Sequence, residues 1–161
     1  MKKTLSLLMT CLLCLMMLYG CTNGTADSVG SVDSESVSYT DKDVQLNLAG
    51  MSGTVVYSMI YNIMSDPSQY IGQIIRLSGY YSAWQDPNTG MVYHSCVIPD
   101  ATACCAQGME FVWSGDHVYP DDYPEFGTEM IVTGRLESYM EGDYMYLHLM
   151  DAQVEWKGTD Q

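Results

Sequence analysis

The sequence predicts a mostly β domain, a small five-stranded barrel preceded by a short amphipathic helix. Three observations carry this. Apolar residues recur at helical spacing in one stretch only, residues 54–65. After Pro67 the apolar residues fall into strand-length runs divided by turn residues. Glycines stand inside or beside the long runs at Gly72, Gly79, Gly127 and Gly134, as the sharp corners of a small closed sheet require.

Each element follows from its residues. Between Thr54 and Ser65, Val55, Val56, Met59, Ile60, Ile63 and Met64 line one helical face. Ser52 or Thr54 can cap its start, and Asp66-Pro67 ends it, because a residue before proline disfavours helical geometry. Tyr70 to Trp84 reads as a strand with Gly72 and Gly79 as bend or bulge sites. Asp86-Pro87-Asn88-Thr89-Gly90 is a turn. Met91–Ile98 and Gly108–Trp113 follow as strands, then a loop rich in Pro, Asp and Tyr over 114–126. Glu129–Tyr139 and Tyr144–Trp156 form a final pair turning at Glu141-Gly142-Asp143. An open α+β sheet is the alternative architecture.

Across residues 70–156 the glycine spacing at Gly72–Gly79 and the run Gly127-Thr128-Glu129-Met130-Ile131-Val132-Thr133-Gly134 resemble the OB-fold family. The resemblance implies a five-stranded OB-like barrel over 44–157.

The segments before it are of another kind. Lys2 and Lys3 precede an uncharged apolar stretch, Leu5 to Leu18, too short for a membrane span of about 20 residues. It has the size of a signal-peptide core and ends in Leu18-Tyr19-Gly20-Cys21. This ending resembles the bacterial lipobox, with Tyr19 standing where a small residue is common. The resemblance implies a signal peptide over 1–20 and diacylglycerol on the Cys21 thiol. Two acyl chains anchor firmly where one does not, at about 0.8 kcal/mol per buried CH₂. An ordinary cleaved signal peptide or an uncleaved anchor is the alternative. Cys11 and Cys14 fall inside this segment and are lost on cleavage. Residues 21–43, rich in Ser, Gly, Thr and Asp and without Trp or Phe, read as a flexible tether. The expected location is the extracytoplasmic face of the cell membrane, lipid-anchored.

Charge narrows the partners. The net charge is −14, and without Lys2 and Lys3 only 4 basic side chains face 20 acidic ones. Such a surface repels phosphate backbones, so a nucleic-acid partner is not expected. No nucleophile elbow, metalloprotease helix or phosphate-binding loop is present in the sequence, and the expectation is a non-enzyme.

The densest chemical cluster is His94-Ser95-Cys96 with Pro99-Asp100 and Cys104-Cys105. Residues i and i+2 of a strand face the same way, so His94 and Cys96 project together. Cys104 and Cys105 can share an ion only in a turn or bulge. Thiolate with imidazole suits Zn²⁺ or a softer ion such as Cu(I), making His94, Cys96, Cys104 and Cys105 candidate ligands. The usual zinc spacing between cysteines is missing. Two other readings stay open: a disulfide from Cys96 to Cys104 or Cys105, or three reduced cysteines in the core. Cys104-Cys105-Ala106 is similar to the cysteine-pair segment in the soluble domain of a bacterial two-subunit permease family sometimes linked to zinc supply. There Asp tends to follow; here Gln107-Gly108 stand.

His117 reads as a solvated loop histidine and His148 as a residue on the polar face of the last strand. Tyr80, Tyr81, Tyr93, Tyr139, Tyr144 and Tyr146 fit strand packing, though they can also line a binding surface. The function expected is a membrane-tethered extracytoplasmic binding lipoprotein, binding zinc or assisting a membrane transporter. The alternative is a metal-free protein–protein interaction module with a structural disulfide.

Overall fold

A computed structural model describes residues 37–102 and 104–158. The signal segment, the lipobox and Cys21 lie outside the described residues. Strand β1 (Leu46–Asn47) is followed by helix α1 (Gly53–Ser65) and a 3₁₀ turn at Pro67–Gln69. Strands β2 (Ile74–Gln85), β3 (Val92–Pro99), β4 (Ala106–Trp113), β5 (Glu129–Glu141) and β6 (Tyr144–Trp156) complete the chain.

The strands form one mixed sheet in the order β1-β2-β3-β4-β6-β5, and β2 also pairs with β5. The pairings from β2 round to β5 therefore close into a ring of hydrogen bonds. The β1–β2 and β4–β6 pairs are parallel and the others antiparallel. The count is six strands rather than the expected five. The additional one, β1, has two residues and is too short to leave a periodic pattern in the sequence.

The ring closes because β2 serves two partners. Residues 74–80 pair with β5 and residues 80–85 pair with β3. Gly79 sits at the changeover, where a Cβ would lie 2.6 Å from both Cys96 Sγ and the Val97 carbonyl oxygen. No side chain fits between the two backbones there. Gly134 does the same for β5 and β6, where a Cβ would stand 2.9 Å from Leu149 Cβ and 3.0 Å from the Met150 carbonyl oxygen. The β5–β6 register shifts between Thr133 and Arg135 at this point. Asp151 takes up the extra residue at φ 52°, and Arg135 Nη2 donates to its Oδ2 at 2.7 Å.

The inside of the ring is apolar, with Ile75, Leu77, Phe111, Val132, Leu136 and Leu149 all buried. Helix α1 covers it with Val56, Ile60 and Ile63, the fully buried part of the face that the spacing predicts. Ser52 precedes the helix without a side-chain cap, so its carbonyl alone accepts from Val55 and Val56 N–H. Residues 37–43, assigned to the tether by composition, touch the domain: Val37 N–H donates to Ser114 Oγ and Tyr39 N–H to Gln153 Oε1. Among the described residues no helix is long and apolar enough to cross a membrane.

Candidate metal centre

The β3–β4 connection is a short loop closed at its base by the Pro99–Ala106 pair and by Asp100 N–H donating to the Cys105 carbonyl at 2.9 Å. Asp100 organises the interior. Its Oδ1 accepts from Thr102 N–H at 3.1 Å and Cys104 N–H at 3.0 Å. This is the local side-chain-to-backbone bonding that aspartate favours in turns. It bends the chain so that two adjacent cysteines no longer face opposite ways. Cys104 Sγ lies 3.7 Å from Cys105 Sγ and 3.4 Å from Asp100 Oδ2. Thr102 Oγ1 also donates to Cys104 Sγ at 3.0 Å.

Asp100, Cys104 and Cys105 each offer a ligand atom, all within 4.8 Å of one another. Both cysteines are exposed and all three cysteines of the described residues are free thiols. Desolvation pushes the Asp100 carboxyl up, but hydrogen bonds from Cys104, Thr102 and the loop backbone outweigh it and hold it below the usual carboxylate range. The contact with Cys104, then the Asp100 charge and some desolvation, raise the Cys105 thiol.

The four residues singled out by type are divided between two environments. Cys104 and Cys105 meet at the loop. His94 and Cys96 share one face of β3, as their spacing predicts; that face is the inner one, and neither belongs to the loop group. His94 Nδ1 is 2.9 Å from Tyr81 Oη, and its ring stacks on Tyr123 at 4.0 Å between centroids. Burial lowers its pKa. Cys96 is fully buried beside Gly79, and burial pushes its thiol up to about 12. Asp100 offers a third ligand atom, one that is not among the four candidates chosen by residue type. The available signal was its position two residues before Thr102 and four before Cys104, an aspartate turn waiting to close.

Two other histidines have structural neighbours. His117 stacks on Trp113 at 3.5 Å, with Nε2 3.0 Å from the Ser114 carbonyl, rather than standing in solvent. His148 faces outward on β6, stacked on Tyr139 and opposite Glu110.

No known protein family's sequence profile matches the chain, and comparison with curated proteins finds no match.

Proposed function

We propose that this protein is a membrane-tethered extracytoplasmic lipoprotein whose OB-like barrel binds a zinc-type ion through Asp100, Cys104 and Cys105. The strand order with a parallel β4–β6 pair supports the OB-like reading. The observation that carries the metal reading is the spacing of the ligand atoms. Two thiolates on one tetrahedral Zn²⁺, each at about 2.3 Å, stand about 3.8 Å apart. A thiolate and a carboxylate oxygen stand about 3.5 Å apart around the same ion. The loop holds these atoms at 3.7 and 3.4 Å.

Three protein ligands leave a fourth position, and the group lies at an exposed loop. A closed four-ligand site is structural; one with three protein ligands keeps a position open to an incoming ligand. This suits a module that captures an ion near the membrane and passes it to a transporter. The lipobox at Cys21 supplies the tether in this reading.

Cobalt titration of the reduced, metal-free full chain tests the reading. One Co²⁺ per chain is expected, with the intense near-ultraviolet absorption of a thiolate–cobalt bond. The double variant Cys104→Ser/Cys105→Ser is expected to lose that band, and Asp100→Asn to bind more weakly. Substoichiometric cobalt, or a band unchanged by the double variant, overturns the metal reading. Retention of Cys21→Ala in the membrane fraction overturns the anchor.

A further inference from the structure

A second feature lies on the opposite side of β4 from the core. Ser95, Glu110 and His148 form a row across the outer face, since Ser95 pairs with Glu110 and Glu110 with His148. The long β5–β6 hairpin stands over this row. It leaves a groove of about 250 Å³, with Ser95, Gly108 and Glu110 in its lining and Met145, Tyr146 and α1 Met64 as its walls. Gly108 keeps the floor open, for a Cβ there would meet nothing closer than Ser95 Cβ at 3.8 Å.

Glu110 is the unusual residue. Its side chain is only 19% exposed. Tyr139 Oη donates to its Oε2 at 2.7 Å. Among the described residues its Oε1 accepts no hydrogen bond; His148 Nδ1 stands 4.0 Å away, outside hydrogen-bond distance. Three of the four Lys and Arg side chains of the described residues pair with other acids: Arg76 with Glu155, Arg135 with Glu137 and Asp151, and Lys157 with Glu129. The Glu110 side chain is largely covered, yet its Oε1 is not sealed from solvent, so an incoming cation can reach it.

We propose that this groove receives a lysine side chain presented by a partner protein. One free carboxylate oxygen suits the point charge of an ammonium better than the two-pronged guanidinium. Tyr146 and the methionine sulfurs suit the apolar lysine stem. A protein source, rather than a free amine, follows from the surface around the groove. Trp84 stacks on Tyr93, Tyr93 Oη donates to Glu141 Oε1 at 2.7 Å, and Glu141 pairs across the hairpin with Tyr144. Trp84 and Tyr144 are both more than half exposed along this line. An apolar strip beside an acidic socket fits a polypeptide, not an isolated ion. The overall charge of −14 favours a basic partner from a distance.

The test is fluorescence anisotropy on the detergent-solubilised full chain with chelator present, so that its outcome is independent of the metal reading. The probe is a labelled peptide of alternating lysine and threonine. Glu110→Gln and Tyr146→Thr are each expected to weaken binding about tenfold. Asp116→Asn, which removes an exposed acid from the β4–β5 loop, is expected to change it less than about twofold. The same peptide with acetylated lysines is expected not to bind. Equal losses in Asp116→Asn and Glu110→Gln mean diffuse attraction and overturn the proposal. So does displacement of the peptide by spermidine at equal charge concentration, or tighter binding of the arginine version. Should Glu110→Gln fail to fold, Tyr146→Thr at its exposed position decides alone, and unchanged binding there overturns the socket.

Discussion

Cys96 lies on the strand that leads into the β3–β4 connection and the Cys104–Cys105 pair within it, yet their thiols live in opposite chemistries. Cys96 is on the inner face of β3, fully buried, with its proton held tightly by desolvation. It behaves as a small apolar filler. Cys104 and Cys105 are exposed on a loop whose backbone is bent by Asp100, with a carboxylate at hand. The residue type is the same, and position relative to the ring decides the role. What sets the loop pair apart is access: Cys104 and Cys105 stand at the surface where an ion can reach them, and a bound cation would offset the Asp100 charge that raises the Cys105 thiol.

The strongest way to break the core half of this comparison is at Gly79. Gly79→Val forces a side chain into 2.6 Å contact with a backbone carbonyl that cannot swing aside. We expect a loss of about 3 kcal/mol or failure to fold, read as a shift in the urea midpoint. Gly108→Ala is the matched control, since its new Cβ meets only an ordinary contact at 3.8 Å. An equally large loss at Gly108 would mean that strand propensity, not the close approach to Cys96, makes Gly79 necessary.

The cysteines themselves separate stability from binding. Cys96→Ser buries a hydroxyl in the apolar ring and is expected to cost about 1–3 kcal/mol, with cobalt stoichiometry unchanged. Cys105→Ser is expected to shift stability by less than about 0.5 kcal/mol while weakening the thiolate–cobalt band, since Cys104 keeps its thiolate. Urea curves and cobalt spectra on the same two variants check both halves. Metal loss in Cys96→Ser with the fold intact would reunite the two environments that the structure keeps apart.

Much of this architecture was legible in the residues, and the parts that were not have physical reasons. The helix over residues 53–65 and the five long strands carry strong periodic signals, because each has one face in the core. Gly79 and Gly134 announced bends because glycine inside an apolar strand is otherwise unfavourable. β1 was silent, since two residues have no period. The strand spacing of His94 and Cys96 told correctly that they share a face, but not that the face is the inside. The thiol group became visible only when the Asp100 turn was in place, because adjacent residues converge through backbone bending rather than through pattern. The Glu110 socket needed three strands that are distant in sequence.

The smallest predicted effect carries the comparison of buried and exposed groups from thiols to carboxyls. Burial raises the pKa of Glu110, against the lowering by the Tyr139 hydrogen bond and the nearby His148. A carboxyl raised on folding contributes its stability in full below its unfolded value, about 4.3, and loses it as pH rises through the folded value. At neutral pH the native domain therefore bears the cost of an ionised, largely covered Glu110. Glu110→Gln removes that charge and keeps an oxygen to accept from Tyr139. We expect a melting temperature about 2 °C above the parent chain at pH 7, with the gain vanishing near pH 4. Thermal melts across that range check the sign. A variant less stable at pH 7 would mean that ionised Glu110 already has its cation within the domain, which would leave the groove nothing to ask of a partner's lysine.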